Sequence, residues 1–213
     1  MFSKRVNQLW SPFFVLKRTI FPEKPQLMIP FGRHTYGPQP VLLGFMPWLA
    51  QKARGSKVGS FCSLSDGLTF SFLGKHNYKH VSTYPFYDFY DVWGYEDNLW
   101  HKGKPDKEKI ESTPIVIEND VWVGANVVVK EGVKIHNGAV IAMGSFVVKD
   151  VPAYALAGGN PAQIIKYRFT QNQIDALQEI AWWNWPDSEI KNVLPLLLSE
   201  DVDVLIGYAK DRK

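Results

Sequence analysis

From Ile117 to Val151 an aliphatic residue returns at every sixth position, and no other feature restricts the fold of the chain so tightly. Ile117, Val123, Val129, Ile135, Ile141 and Val147 carry the beat. Four places after each stands a small or slender residue: Val121, Val127, Val133, Ala139, Ser145 and Val151. An amphipathic helix needs a period of about 3.6 and a half-buried strand one of about 2, so a period of six fits neither. It fits a coil of short strands. One hexapeptide forms each side of a triangular prism, the beat residue points at the axis, and residues between beats turn the corners. Asn119, Asp120, Gly124, Asn126, Gly132, Asn137, Gly138 and Gly144 suit those corners, because Gly, Asn and Asp tolerate φ > 0. Stacked coils form parallel ladders about 4.8 Å apart and bury the aliphatic axis without a helix layer. Strands of a sandwich vary in length and would lose the phase.

The period begins before an interruption. Val58, Leu64 and Phe70 are six apart, with Cys62 and Leu68 at the fourth places. Cys62 therefore reads as a small core residue, since nothing beside it in sequence would lower its pKa. As the sole cysteine it excludes an intramolecular disulfide and points to a reducing, cytoplasmic location. The interruption, at about 72–112, is rich in aromatics and histidines, among them His76, Tyr78, His80, Tyr84, Phe86, Trp93, Trp100 and His101. A loop of that length inside a repetitive fold marks function, and a minority of its aromatics should line a cleft.

The expected architecture is an all-β solenoid at 41–168 carrying that loop, between an arm and lead-in at 1–40 and a helical tail at 169–213. The apolar run from Leu9 to Leu16 is broken by Ser11 and Pro12 and is too short to span a bilayer, so it should pack on protein without stable membrane insertion. Phe21 to Pro40, dense in Pro and Gly, reads as an irregular lead-in that holds Phe31 and Tyr36. After the beat decays into Ala157-Gly158-Gly159-Asn160-Pro161-Ala162, Thr170 should cap a helix from Gln171 to about Ala181, with Ile174, Leu177 and Ile180 on one face. Pro186 should start another, with Ile190, Val193 and Leu194 facing inward. Such a tail covers the open end of a solenoid. A net charge of +3 gives no case for nucleic acid.

The motifs Gly74-Lys75-His76, Ser82-Thr83-Tyr84-Pro85-Phe86, Asp120-Val121-Trp122-Val123-Gly124, Gly158-Gly159-Asn160-Pro161-Ala162 and Trp182-Trp183-Asn184-Trp185-Pro186 together resemble the hexapeptide-repeat xenobiotic acetyltransferases, the type B chloramphenicol and streptogramin enzymes. The resemblance covers roughly Val58 to Pro195. It implies a left-handed parallel β-helix, a homotrimer, and transfer of acetyl from acetyl-CoA to the hydroxyl of a small molecule at a site between subunits, with no metal. His76 matches the family's catalytic histidine, and an imidazole can take the proton of an attacking hydroxyl at neutral pH. For the donor, the resemblance points to Trp122, Ala142, Met143, Gly144, Ser145, Gly158, Gly159 and Lys166, with Lys149 and Arg168 as further candidates for the phosphates. Tyr36, His80, Tyr84, Pro85 and Phe86 are assigned to the acceptor. His80 and Lys75 depart from the family pattern, which leaves antibiotic and sugar acceptors both open. Two other readings exist: a γ carbonic anhydrase-like zinc hydratase using His76, His80 and His101, and a trimeric module without chemistry.

Overall fold

A computed structural model describes residues 28–44, 46–72, 78–84 and 111–211. Its strands fall into three sheets. Sheet A contains β2 (Lys57–Val58), β5 (Val116–Ile117) and β8 (Lys134–Ile135). Sheet B contains β3 (Ser63–Leu64), β6 (Trp122–Val123), β9 (Val140–Ile141), β11 (Ala155–Gly159) and β12 (Ala162–Tyr167). Sheet C contains β1 (Val41–Gly44), β4 (Thr69–Phe72), β7 (Val128–Lys130) and β10 (Phe146–Val147). From β2 to β10 the chain visits A, B and C in rotation, and every pair is parallel except β11 with β12. The register joins Val58, Ile117 and Ile135 on one side, Leu64, Val123 and Ile141 on the next, and Phe70, Val129 and Val147 on the third. All nine are buried, as are Cys62, Leu68 and the six fourth-place residues. Burial pushes the Cys62 thiol up to about 11, so it stays protonated in the core.

The ladder starts further upstream than the periodicity suggests. Phe31 bridges to Val58, Tyr36 to Ser63, and β1 pairs with β4, so part of the expected lead-in is a coil. Its beat is hidden because Gly37 stands where an aliphatic residue would be sought: a Cβ there would lie 2.2 Å from the Leu64 carbonyl oxygen. Downstream, the glycine-rich exit is itself a strand, β11, which continues sheet B and then pairs antiparallel with β12.

Corner residues keep the same period. Asp120, Asn126, Gly132, Gly138 and Gly144, six apart, all have φ between +55° and +79°, and Gly55, Phe61 and Gly67 repeat the series before the interruption. Asn119, Gly124 and Asn137, also expected at corners, do not adopt positive φ. Asn119 and Asn137 hold adjacent coils together instead: Asn137 Oδ1 accepts from the Asn119 backbone N–H and from Asn119 Nδ2, both at 3.0 Å.

The tail contains α2 (Gln171–Ile180), α3 (Asp187–Leu197) and α4 (Asp203–Lys210), with a 3-10 turn at Trp182–Asn184; α1 (Met46–Lys52) lies earlier, after β1. Thr170 closes α2 in a capping box with Gln173. Ile190 and Val193 are buried, but Leu194 is 45% exposed and does not face inward as expected. The tail is tied to the first coil across 150 to 154 positions of sequence: Arg33 donates to the Trp183 carbonyl at 2.9 Å, to the Trp185 carbonyl and to Asp187, and His34 Nε2 lies 3.0 Å from Asp187 Oδ1. Phe61 packs between them, 4.8 Å from the His34 ring and 4.9 Å from that of Trp182. Replacing Arg33 by Ala removes the side-chain donor of two carbonyls and leaves Asp187 with His34. Arg33→Ala should lower Tm by roughly 3–8 °C in calorimetry, with limited proteolysis cutting the tail before the coil.

Candidate active site

The outward residues of sheet B form a row. The register runs Tyr36, Ser63, Trp122, Val140, Leu156 and Lys166, one residue per rung. Tyr36 and Trp122 are 67% and 57% exposed, large aromatic faces with small Ser63 between them. Val140 and Leu156 floor an open depression that Asp120, Trp122, Lys166 and Arg168 complete. Trp122, Lys166 and Arg168, chosen for the donor, thus come together. Lys149 does not join them, because it follows β10 on another sheet. The floor residues were missed in sequence. Each precedes an inward residue, Ile141 or Ala157, by one position, and no sequence signal separates them from Val128 and Phe146, which hold the same place on sheet C.

The remaining donor candidates gather where sheet B turns into sheet C. A Cβ on Gly158 would lie 2.9 Å from the Ala142 Cβ and 3.2 Å from Ile165 Cδ1, so the last coil closes on the one before it only with glycine here. Ser145 is fully buried; its hydroxyl donates to the Ala142 carbonyl at 2.5 Å and accepts from the Gly159 N–H at 3.2 Å. Met143, by contrast, is 74% exposed. Of the acceptor candidates, Tyr36 lies on the sheet B row and His80 and Tyr84 are exposed, while Pro85 and Phe86 lie outside the described residues. His76 and His101 lie outside them too.

Beside the depression sits a charged group that sequence reading placed at a corner and in a family motif but gave no chemical role. Burial lifts the Asp120 carboxyl to about 6, against the pull of Arg168, whose Nη1 is 3.8 Å from Asp120 Oδ2. Arg168 is held by a 2.6 Å bond to the Gly138 carbonyl and lies over the rings of Tyr154 and Phe169. The Tyr154 hydroxyl, buried and without a partner among the described residues, is raised beyond the ordinary phenol range by burial and by Asp120.

Known proteins share this pattern. The bacterial transferase hexapeptide family (six repeats) matches residues 114–149. A chloramphenicol acetyltransferase of Klebsiella aerogenes is 41% identical over 71% of this chain and 70% of its own length. A probable macrolide acetyltransferase of Lysinibacillus sphaericus is 40% identical over 67% of this chain and 77% of its own. The chain belongs to the hexapeptide-repeat xenobiotic acetyltransferase family. Among solved structures, a galactoside acetyltransferase in complex with coenzyme A superposes over 65% of this chain and 64% of that one at 22% identity, with a TM-score of 0.36, too loose to carry an argument. As a xenobiotic acetyltransferase the protein is an acyltransferase with acetyl-CoA as co-substrate. The match gives no support to a zinc hydratase.

Asp120 makes this acetyltransferase's stability depend on pH in a definite direction. A carboxyl whose pKa rises from 3.8 to about 6 on folding contributes stability that is present below pH ~4 and lost as pH rises through about 6. Asn can replace Asp at this corner, since Asn126 adopts the same φ. Asp120→Asn should therefore raise Tm at pH 7.5 relative to the parent, with the gain gone by pH 4; thermal melts across that range would reveal it.

Proposed function

We propose that this acetyltransferase is a homotrimer of left-handed parallel β-helices that transfers acetyl from acetyl-CoA to a hydroxyl of a small, ring-bearing acceptor, with His76 as general base. The observation that carries the reading is the sheet B row: exposed aromatics toward one end, cations at the other, and the small-residue corner alongside. Lys166 and Arg168 suit the donor's phosphates as charge-assisted donors. The slender corner at Ala142, Met143, Gly144, Gly158 and Gly159 suits the pantetheine arm, and Trp122 lies between the two groups. Tyr36, with His80, Tyr84, Pro85 and Phe86, is assigned to the acceptor, whose ring can stack on exposed aromatic faces. The chloramphenicol and macrolide relatives, together with the departures at Lys75 and His80, favour screening antibiotics and sugars alike. A cytoplasmic location agrees with Cys62 as the sole cysteine of the chain.

In the reaction, the acceptor oxygen attacks the thioester carbonyl carbon while His76 takes the hydroxyl proton. The tetrahedral intermediate collapses with cleavage of the C–S bond, and His76 returns the proton to the leaving CoA sulfur. No acyl-enzyme forms. Cys62, protonated and buried, has no part in it.

His76→Ala should lower kcat by about 10² to 10⁴ with acetyl-CoA affinity nearly unchanged. In the parent, kcat/KM should rise with pH through one group near neutrality, and that limb should vanish in the variant. An active His76→Ala enzyme alongside a dead His80→Ala one would overturn the assignment. Light scattering should give three chains per particle at micromolar concentration; a monomer with full activity would contradict a shared site.

A further inference from the structure

We infer that Asp120 works as an internal anion of the sheet B depression: its carboxylate competes for Arg168 and so weakens the hold of that face on the donor's phosphates. The inference rests on the donor reading above. Among the described residues that line the depression, three carry charge, Asp120 against Lys166 and Arg168. Asp120 Oδ2 lies 3.8 Å from Arg168 Nη1, and both side chains reach solvent. That distance exceeds the about 2.7–2.9 Å of a charge-assisted hydrogen bond, so the pair attracts without being locked. A phosphate drawn to Arg168 meets the carboxylate on the same approach.

Nothing in the backbone asks for a carboxylate at this corner. Asp120 has φ +55°, while Asn126 takes φ +56° at the next corner and Gly138 takes φ +67° on the adjoining coil. Among the described residues no hydrogen bond reaches the Asp120 carboxyl oxygens, and the buried Tyr154 hydroxyl beside them has no partner either. Cys62 and Tyr154, the titratable groups that face Asp120 from other coils, are both held neutral by burial, which leaves Arg168 as the cation that faces it. A carboxylate with so much of its surface buried and one loose partner costs stability. Where Asn or Gly would fit the backbone, an acid kept at that cost is explained by its effect on the site. Acetyl-CoA and coenzyme A carry the same phosphates, so a looser hold on them speeds release of the product after each turnover. Burial brings the carboxyl to about 6, so the anion is present above that pH and gone well below it.

The test is equilibrium binding of coenzyme A, at constant ionic strength, to the parent protein and to Asp120→Asn, Asp120→Gly and Lys166→Ala. Comparing proteins at one pH cancels the titration of the ligand's own phosphates. At pH 8 both Asp120 variants should bind about three- to fivefold more tightly than the parent, and at pH 5 all three should converge. Pantetheine, which is uncharged, should gain nothing from either substitution. Lys166→Ala should weaken coenzyme A severalfold at both pH values. If Lys166→Ala binds as the parent does, the donor reading fails at this face and the inference falls with it. If Lys166→Ala weakens binding while the Asp120 variants gain nothing at pH 8, only the role of Asp120 is overturned. A gain that persists undiminished at pH 5, or that pantetheine shares, would come from the shape of the corner and would overturn that role as well.

Discussion

Most corners between the six-residue sides of this chain put a residue into the left-handed region, and the rest of the structure depends on how that conformation is accommodated. The corner between sheets C and A uses Gly55 and Gly132, and that between B and C uses Gly67, Asn126 and Gly144. These are the residues that tolerate φ > 0 at least cost. The corner between A and B is built differently. His34, Phe61, Asp120, Gly138 and Tyr154 stack there, four of the five with a side chain at φ between +55° and +59°. Left-handed backbone costs an L-residue about 1–2 kcal/mol, so the column is strained unless something offsets it. Arg168, just after β12, and the tail beyond it do so residue by residue: His34 meets Asp187, Phe61 meets Trp182, Asp120 meets Arg168, and Tyr154 meets Phe169. The tail and the strained corner therefore belong to one unit of stability.

That corner borders the depression on sheet B, so fold and site share residues. The coil supplies an apolar floor through Val140 and Leu156, because strands that bury one side chain must point the next one outward. The cations come from the hairpin partner strand β12 and the residue just after it. Lys166 pairs across from Leu156, and Arg168 reaches back to the Gly138 carbonyl. A sheet that ended at β11 would have the floor without the charge.

Burial of the axis made the prism legible in sequence: each beat residue from Val58 to Val147 faces inward, so a single physical requirement repeats. The first coil was not legible, since Gly37 removes its beat where the Leu64 carbonyl leaves no room for a side chain. Nor was the Arg33–Asp187 tie, whose partners have no local signal that joins them. Within the candidate site, Trp122 and Lys166 could be picked by resemblance, whereas the raised carboxyl of Asp120 comes from burial, against the pull of an arginine 48 positions away.

The position of the interruption bears on how a complete site must be assembled. Phe70 and Ile117 are consecutive beats, so the long insertion leaves after β4 of sheet C and returns before β5 of sheet A. Its roots therefore belong to the corner between C and A, the one corner that sheet B does not touch. His76 follows Phe72 by four residues, a reach of at most about 14 Å along an extended chain. The outer face of sheet B, with Trp122 and Lys166, is turned toward a different side of the same prism. The proposed base and the face proposed for the donor would meet most directly with sheet B of one prism beside the insertion of a neighbour. This is the geometric ground for proposing a site shared between subunits, with chemistry that one chain by itself would leave incomplete.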